Sequence, residues 1–262
     1  MKSPEVAVGI LAAMQAEVEA VTARMVDKAE HSVRGLSFTT GLIEGNPCIV
    51  ACTGVGKVNA AMITTLMLEH FEPQFIICTG IAGGLNSHLS RGDIIIAEKV
   101  AHHDYGEFTP EGFESWETWN PIRDEPNPLF IVLDGELLSL AERVSGRLEI
   151  PRISNGDNSQ VPKVSRGVII TGDTFCTALD KRLELAQRFE ADAVDMEGAS
   201  VAQVCWQMGI RTLRIRSISD VDEEVDQDWD CWLKIASNNA ATVVAAVVGK
   251  IAFESIRPAN TA

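Results

Sequence analysis

Positive charge is scarce in this chain. Lysine and arginine together number 22 against 37 aspartates and glutamates, a formal net charge of −15. A surface of that sign repels polyanions, and no basic stripe offsets it, so nucleic acid and anionic membranes are excluded as partners. Long uncharged apolar runs are also missing. No window has about 18 apolar residues without charge, so no membrane span is expected. The opening stretch, MKSPEVAVGILAAMQAEVEA, is interrupted by Gln15, Glu17 and Glu19. It lacks the design of a signal peptide and reads as a buried first strand. The six cysteines (Cys48, Cys52, Cys78, Cys176, Cys205 and Cys231) form no CxxC and no zinc spacing with histidine. Several sit in apolar runs, where cysteine behaves as a small hydrophobe. Reduced thiols in a cytoplasmic protein are the reading. There is no internal repeat and no low-complexity tract.

Two familiar loops are absent as well. Gly54-Val55-Gly56-Lys57 suggests a phosphate loop, but position 51 is Ala and position 58 is Val, so the pattern fails twice. Gly80-Ile81-Ala82-Gly83-Gly84 follows a strand without being GxGxxG, although its glycines still let a ligand approach the backbone. His102 and His103 are adjacent, and neighbours on a strand face opposite ways, so they do not chelate one ion. No metal and no cofactor are expected.

What the sequence does have is alternation. Apolar residues make up 46% and charged residues 23%, enough for a substantial core. Short β-branched runs read as strands at 6–11, 36–42, 48–53, 75–79, 93–100, 167–171, 193–196 and 212–219. A turn over 44–47 joins the second to the third. Helical spacing marks 14–25, 57–71, 133–148, 179–189, 197–207 and 229–253. Near-continuous apolar strands alternating with helices predict an α/β fold. It has three layers, α/β/α, with a mixed, mainly parallel central sheet covered by helices, and the whole of 1–262 forms one domain. Ligands in such folds bind at the carboxyl ends of the strands. Residues 104–130 stand apart, poor in periodicity and rich in proline, acids and aromatics. They read as a surface excursion, or as a lid or subunit contact presenting Phe113, Trp116 or Trp119.

Three acids fall where a strand end meets a loop or helix: Glu17, Glu197 and Asp220. Singly, each has a plain explanation, as a first-turn acid, an acid at a helix N-terminus or a turn cap. Together they would share one edge of the sheet.

The motifs around them, in order, are GILAAMQAEVEAV, ACTGVGKVNAA, CTGIAGGL with GDIII, TGDTFC, VDMEGASVAQVC and RSISDVDE. This series resembles the purine nucleoside phosphorylase/uridine phosphorylase superfamily over residues 5–250. Within it, the series most resembles the 5′-methylthioadenosine/S-adenosylhomocysteine nucleosidases. The resemblance implies cleavage of a purine nucleoside's N-glycosidic bond through an oxocarbenium-like transition state. Asp220 is similar to the general acid that protonates purine N7, with Ser219 orienting the proton. Glu197 and Met196 match the residues at the ribose, and Glu17 the acid that holds the attacking water. Phe175 matches the aromatic that stacks on the base, and Cys176 would read the base edge through its backbone. Ala82 and Gly83 match backbone positions near the nucleoside, and Met14 and Val55 match apolar contacts.

The phosphorylases of the superfamily hold phosphate with arginines and a glycine-rich first loop. Residues 12–17 here contain neither, which favours water as the nucleophile. Ile81 and Cys176 depart from the usual residues, and Trp229 and Trp232 open the last helix near the expected 5′-substituent pocket. The alternatives are a phosphate-dependent phosphorylase, a hydrolase of a futalosine-type nucleoside, and a nucleoside-binding protein without catalysis. The family also implies a homodimer or an assembly of dimers, with the helix at 58–68 and the 104–130 segment as contact surfaces. Base release should proceed unchanged in excess chelator. Recovery of activity only on adding back a metal would overturn the metal-free expectation.

Overall fold

A computed structural model describes residues 7–155, 158–221 and 229–251. Val8–Ala12 forms β1 and Gln15–Thr22 forms α1. A meander follows, of β2 (Val26–Val33), β3 (Leu36–Ile43) and β4 (Asn46–Cys52). Then come α2 (Lys57–Phe71), β5 (Phe75–Gly84) and β6 (Ile94–His102). The next segment holds short strands: β7 (Gly106–Thr109), β8 (Gly112–Ser115), β9 (Trp119–Asn120), β10 (Glu125–Pro126) and β11 (Ile131–Val132). After α3 (Gly135–Ser145) come β12 (Ile153–Asn155), β13 (Asn158–Gln160) and β14 (Val164–Thr171). The chain continues through α4 (Leu179–Phe189), β15 (Ala193–Asp195), α5 (Gly198–Met208), β16 (Arg211–Asp220) and α6 (Trp229–Val248).

The predicted α/β architecture is present. The main sheet runs β11-β6-β14-β15-β5-β1-β4-β3-β2, and β16 joins both β5 and β6. Because β16 bridges two strands already linked through β14 and β15, that half of the sheet closes into a ring. Parallel pairing joins β1 to β4 and β5, β14 to β6 and β15, and β16 to β5. Antiparallel pairing joins β2 to β3, β3 to β4, β15 to β5, β16 to β6 and β11 to β6. The sheet is therefore more mixed than the strand–helix alternation suggests.

The apolar strands are buried on both faces, as their continuous patterns require. Val8, Ile10, Phe75, Ile77, Leu213 and Ile215 face one core with α1, α3 and α6. Leu11, Ile49, Ile76 and Cys78 face the other, with Ile63, Met67 and Phe71 of α2 and Val201 and Cys205 of α5. The last helix, α6, is long enough and apolar enough to cross a membrane, at a mean hydropathy of 1.3. Here it serves as a core helix, burying Ala236, Ala240, Val243, Val244 and Val247.

The predicted elements occur with shifted ends. The helix read over 14–25 stops at Thr22, and the exposed, polar strand Val26–Val33 follows at the sheet edge, where no apolar pattern announces it. The strand read over 75–79 runs on to Gly84. The turn at Glu44-Gly45 has positive φ at both residues (50° and 80°), the geometry a tight hairpin needs. The tail of the last predicted helix, 252–253, and the end of RSISDVDE, 222–223, lie outside the described residues. The 104–130 segment contains two hairpins, β7–β8 and β9–β10. Phe113 stacks edge-on against Phe108 and beneath Arg188.

Asp134 caps α3, accepting from the amides of Glu136 and Leu137, and it also takes two hydrogen bonds from Arg211 at the start of β16. Burial pushes its carboxyl up, but Arg211 and the two amides outweigh burial and leave it below its ordinary value. A depressed carboxylate stabilises the fold above the unfolded value and loses that contribution as pH falls through the folded one. Asp134→Ala should therefore cost about 1–2 kcal/mol near neutral pH. The gap from the parent should close on acidification, as read by denaturant unfolding across pH.

Candidate active site

The carboxyl ends of six strands converge on one cavity of about 290 Å³, a small-molecule size. The segment after β1 supplies Ala13, Met14 and Glu17, and the loop after β4 supplies Val55. The end of β5 supplies Ile81, Ala82 and Gly83. The loop after β14 gives Thr174, Phe175 and Cys176, and the end of β15 leads into Met196 and Glu197. Ser219 and Asp220 close β16, and Trp229 begins α6. All eleven residues singled out in the sequence line this one cavity.

Glu17 is only 2% exposed. Its Oε2 accepts from the amides of Ala13 (2.7 Å) and Met14 (2.8 Å), and its Oε1 from the amide of Ile81 (2.8 Å). The approach needs Gly80, at φ +134°. A Cβ there would fall about 2 Å from Glu17 Oε1 and Arg216 Nη1, at 2.2 and 2.1 Å. Glu197 accepts from the Gly56 amide at 3.0 Å and from Arg216 Nη2 at 3.0 Å. Burial pushes the Glu197 carboxyl up. Arg216 and the Gly56 amide pull it back only in part, and the neighbouring Glu17 adds to the rise. Asp220 holds two donors. Ser219 Oγ donates to its Oδ1 at 2.6 Å, and Arg182 donates to its Oδ2.

Behind these acids lies a set the sequence reading did not single out. Asp195 accepts from Thr171 Oγ1 (2.7 Å) and from the amides of Glu197 and Gly198, so it caps α5. Its other oxygen pairs with both Arg214 and Arg216. Arg216 then reaches Glu197 at 3.0 Å and Glu17 at 3.6 Å. Burial, with the charge of Arg216 beside it, pushes Arg214 down to about 9. Glu17, Asp195, Glu197 and Asp220 are all buried, as are Arg182, Arg214 and Arg216. The carboxylates of Glu17 and Glu197 stand at the cavity wall, where they would favour an electropositive centre. The sequence signal was available for two of the three: Arg214 and Arg216 alternate along the apolar run LRIRS, whereas Arg182 stands among charged neighbours in LDKRLE.

The cavity wall is apolar. Phe175 meets Trp229 edge-to-face at 6.0 Å between ring centres. The two tryptophans of the last helix part company. Trp229 lines the cavity, while Trp232 is buried under Arg91. Phe113, Trp116 and Trp119 do not line the cavity, so the lid reading of 104–130 has no support in this conformation. The Cys176 carbonyl, expected at the base edge, already accepts from Arg182 Nε at 2.9 Å. His102 Nε2 meets Gln203 Oε1 at 3.0 Å. Among the described residues no group of three or more His, Cys, Asp or Glu side chains could hold a metal.

The family model described as the phosphorylase superfamily matches residues 7–249, and the chain belongs to that superfamily. Within it, the likenesses fall on one kind of enzyme. A 5′-methylthioadenosine/S-adenosylhomocysteine nucleosidase of Oceanobacillus iheyensis is 35% identical over 246 residues, 93% of this chain and 99% of the relative. The crystal structure of such a nucleosidase from Neisseria meningitidis, in complex with methylthio-immucillin-A, is 32% identical. It superposes with a TM-score of 0.81, covering 94% of this chain and 99% of that one. The futalosine hydrolase of Helicobacter pylori is 30% identical with a TM-score of 0.79, covering 94% and 99%. The chain is thus an enzyme of the nucleosidase class, an N-glycosyl hydrolase.

Replacing Asp195 by Asn removes the counter-charge of two buried arginines. A loss of about 3–5 kcal/mol in unfolding free energy is expected, the penalty of leaving buried charge uncompensated. Unchanged stability would show that the arginines are held by their other partners alone.

Proposed function

We infer that this enzyme hydrolyses 5′-methylthioadenosine or S-adenosylhomocysteine, releasing adenine and the thioribose. The observation that carries the reading is the convergence of Glu17, Glu197 and Asp220, from three separate strand ends, on one apolar-walled cavity. Asp220 donates a proton toward N7 as the C1′–N9 bond breaks and its electron pair passes to the base. Ser219, already on Oδ1, orients that carboxyl. Glu197 accepts from the ribose hydroxyls and, with Glu17, faces the positive charge that grows on the sugar. Glu17 holds the water that attacks C1′ and takes its proton. Phe175 stacks on the purine, Cys176 contributes its backbone at the base edge, and Met196 packs under the ribose. Met14, Val55, Ala82 and Gly83 complete the contact surface. Trp229, packed on Phe175, is placed to wall the 5′ substituent.

Water is favoured over phosphate for an electrostatic reason. The first loop has no arginine, and Arg216, delivered instead by β16, is engaged by Asp195, Glu197 and Glu17. A free anion would have to compete with three carboxylates. The second reading, a hydrolase of a futalosine-type nucleoside, is supported by the likeness to the Helicobacter pylori futalosine hydrolase. We also propose that the chain acts as one domain, in the cytoplasm, as a homodimer or assembly of dimers. Val58 (79% exposed) and Met62 (46%) on α2 offer an apolar contact face.

The test incubates the protein with 5′-methylthioadenosine, S-adenosylhomocysteine, adenosine, inosine and futalosine, with and without phosphate. Adenine and free thioribose appearing without phosphate is the expected result. A sugar 1-phosphate formed only with phosphate would make the enzyme a phosphorylase. Asp220→Asn and Glu17→Gln should each lower kcat by about 10²-fold or more while the protein stays folded.

A further inference from the structure

The helix α4 buries Arg182, Leu185 and Phe189 along one stripe. An arginine in that stripe is out of place, because a leucine would complete it without the desolvation cost of a buried cation. Yet Arg182 is 2% exposed and held at three points. Its Nε donates to the Cys176 carbonyl at 2.9 Å, its Nη1 to the Gly84 carbonyl at 3.1 Å, and its Nη2 to Asp220 Oδ2. The two carbonyls fix the plane of the guanidinium from opposite sides. One belongs to the loop that carries Phe175 and the other to the end of β5. A fork pinned in this way cannot follow a moving partner, so Asp220 must come to it.

From this we propose that Arg182 is the positioning residue of the leaving-group side. It stabilises Asp220 as the carboxylate left behind when its proton passes to the base. The inference rests on Asp220 being the acid, as proposed above. In that step the Asp220 O–H bond breaks, an N7–H bond forms, and the C1′–N9 pair stays with the neutral base. The full negative charge then appears on Asp220 opposite Arg182. The contact is stronger in the transition state than before it, which is the condition for raising kcat rather than merely tightening binding. Two buried arginines divide the labour. Arg216 serves the carboxylates at the sugar, Glu17 and Glu197, while Arg182 serves the carboxylate at the base.

The discriminating probe is a leaving group that needs no proton. Arg182→Gln and Arg182→Lys are assayed in the full chain on 5′-methylthioadenosine and on the p-nitrophenyl glycoside of 5-methylthioribose, which departs as a stabilised phenolate. Arg182→Gln should lower kcat on the nucleoside by about 10²-fold with KM little changed. It should leave the glycoside nearly unaffected, and Arg182→Lys should recover part of the loss. Arg182→Gln added to Asp220→Asn should cost nothing further, since the group it acts through is gone. Equal losses on both substrates, an unchanged rate on the nucleoside, or additive losses in the double variant would each overturn the assignment. If the Gln variant does not fold, the Lys variant gives the same ratio between the two substrates. A wild-type protein that releases base from no nucleoside would instead overturn the proposed function itself.

Discussion

The buried carboxylate of Asp195 is the contact on which the rest of the site depends. It ends β15, caps α5 and binds two arginines of β16 that would otherwise stand uncompensated in the core. Arg216 lies buried behind the cavity, where Asp195 holds its Nε and its Nη2 donates to Glu197, which lines the pocket. The ring formed by β5, β16, β6, β14 and β15 brings these groups together. An open sheet would place β15 and β16 too far apart for one carboxylate to serve both. Fold closure and site electrostatics are two aspects of one interaction.

The division of the pocket follows from its walls. One side is aromatic and apolar, with Phe175 and Trp229 meeting edge-to-face. The other side is ionic, and each charge there is held by backbone amides or by a guanidinium. A ring with a neutral π face suits the first, and a sugar that becomes cationic suits the second. Nothing in that division requires a metal or an organic cofactor as electron sink.

Much of this was legible in the sequence, for reasons tied to particular residues. Continuous apolar runs such as FIICTG mark strands buried on both faces, and Glu17, Glu197 and Asp220 each interrupt the chain where such a run ends. Strand β2 was not legible, because an edge strand of sequence VDKAEHSV buries almost nothing and leaves no periodic trace. The hairpins within 104–130 were hidden similarly, their pairing being local and their side chains mostly exposed. The arginines were overlooked for the opposite reason. Arg214 and Arg216 read as interruptions of an apolar run and Arg182 as one charge among several on a polar helix, and only the folded chain shows that Asp195 and Asp220 stand opposite them.

Gly80 holds φ +134°, a conformation that glycine adopts without a steric penalty. Its missing side chain is the space in which Glu17 and Arg216 meet, so the backbone of β5 has no freedom to accept another residue there. The choice between nucleophiles is therefore written at very few positions. With Arg216 3.6 Å behind it, neutralising Glu17 would leave that guanidinium with less opposing charge. Under the proposed role of Glu17, the carboxylate at position 17 is what keeps this scaffold from attracting phosphate.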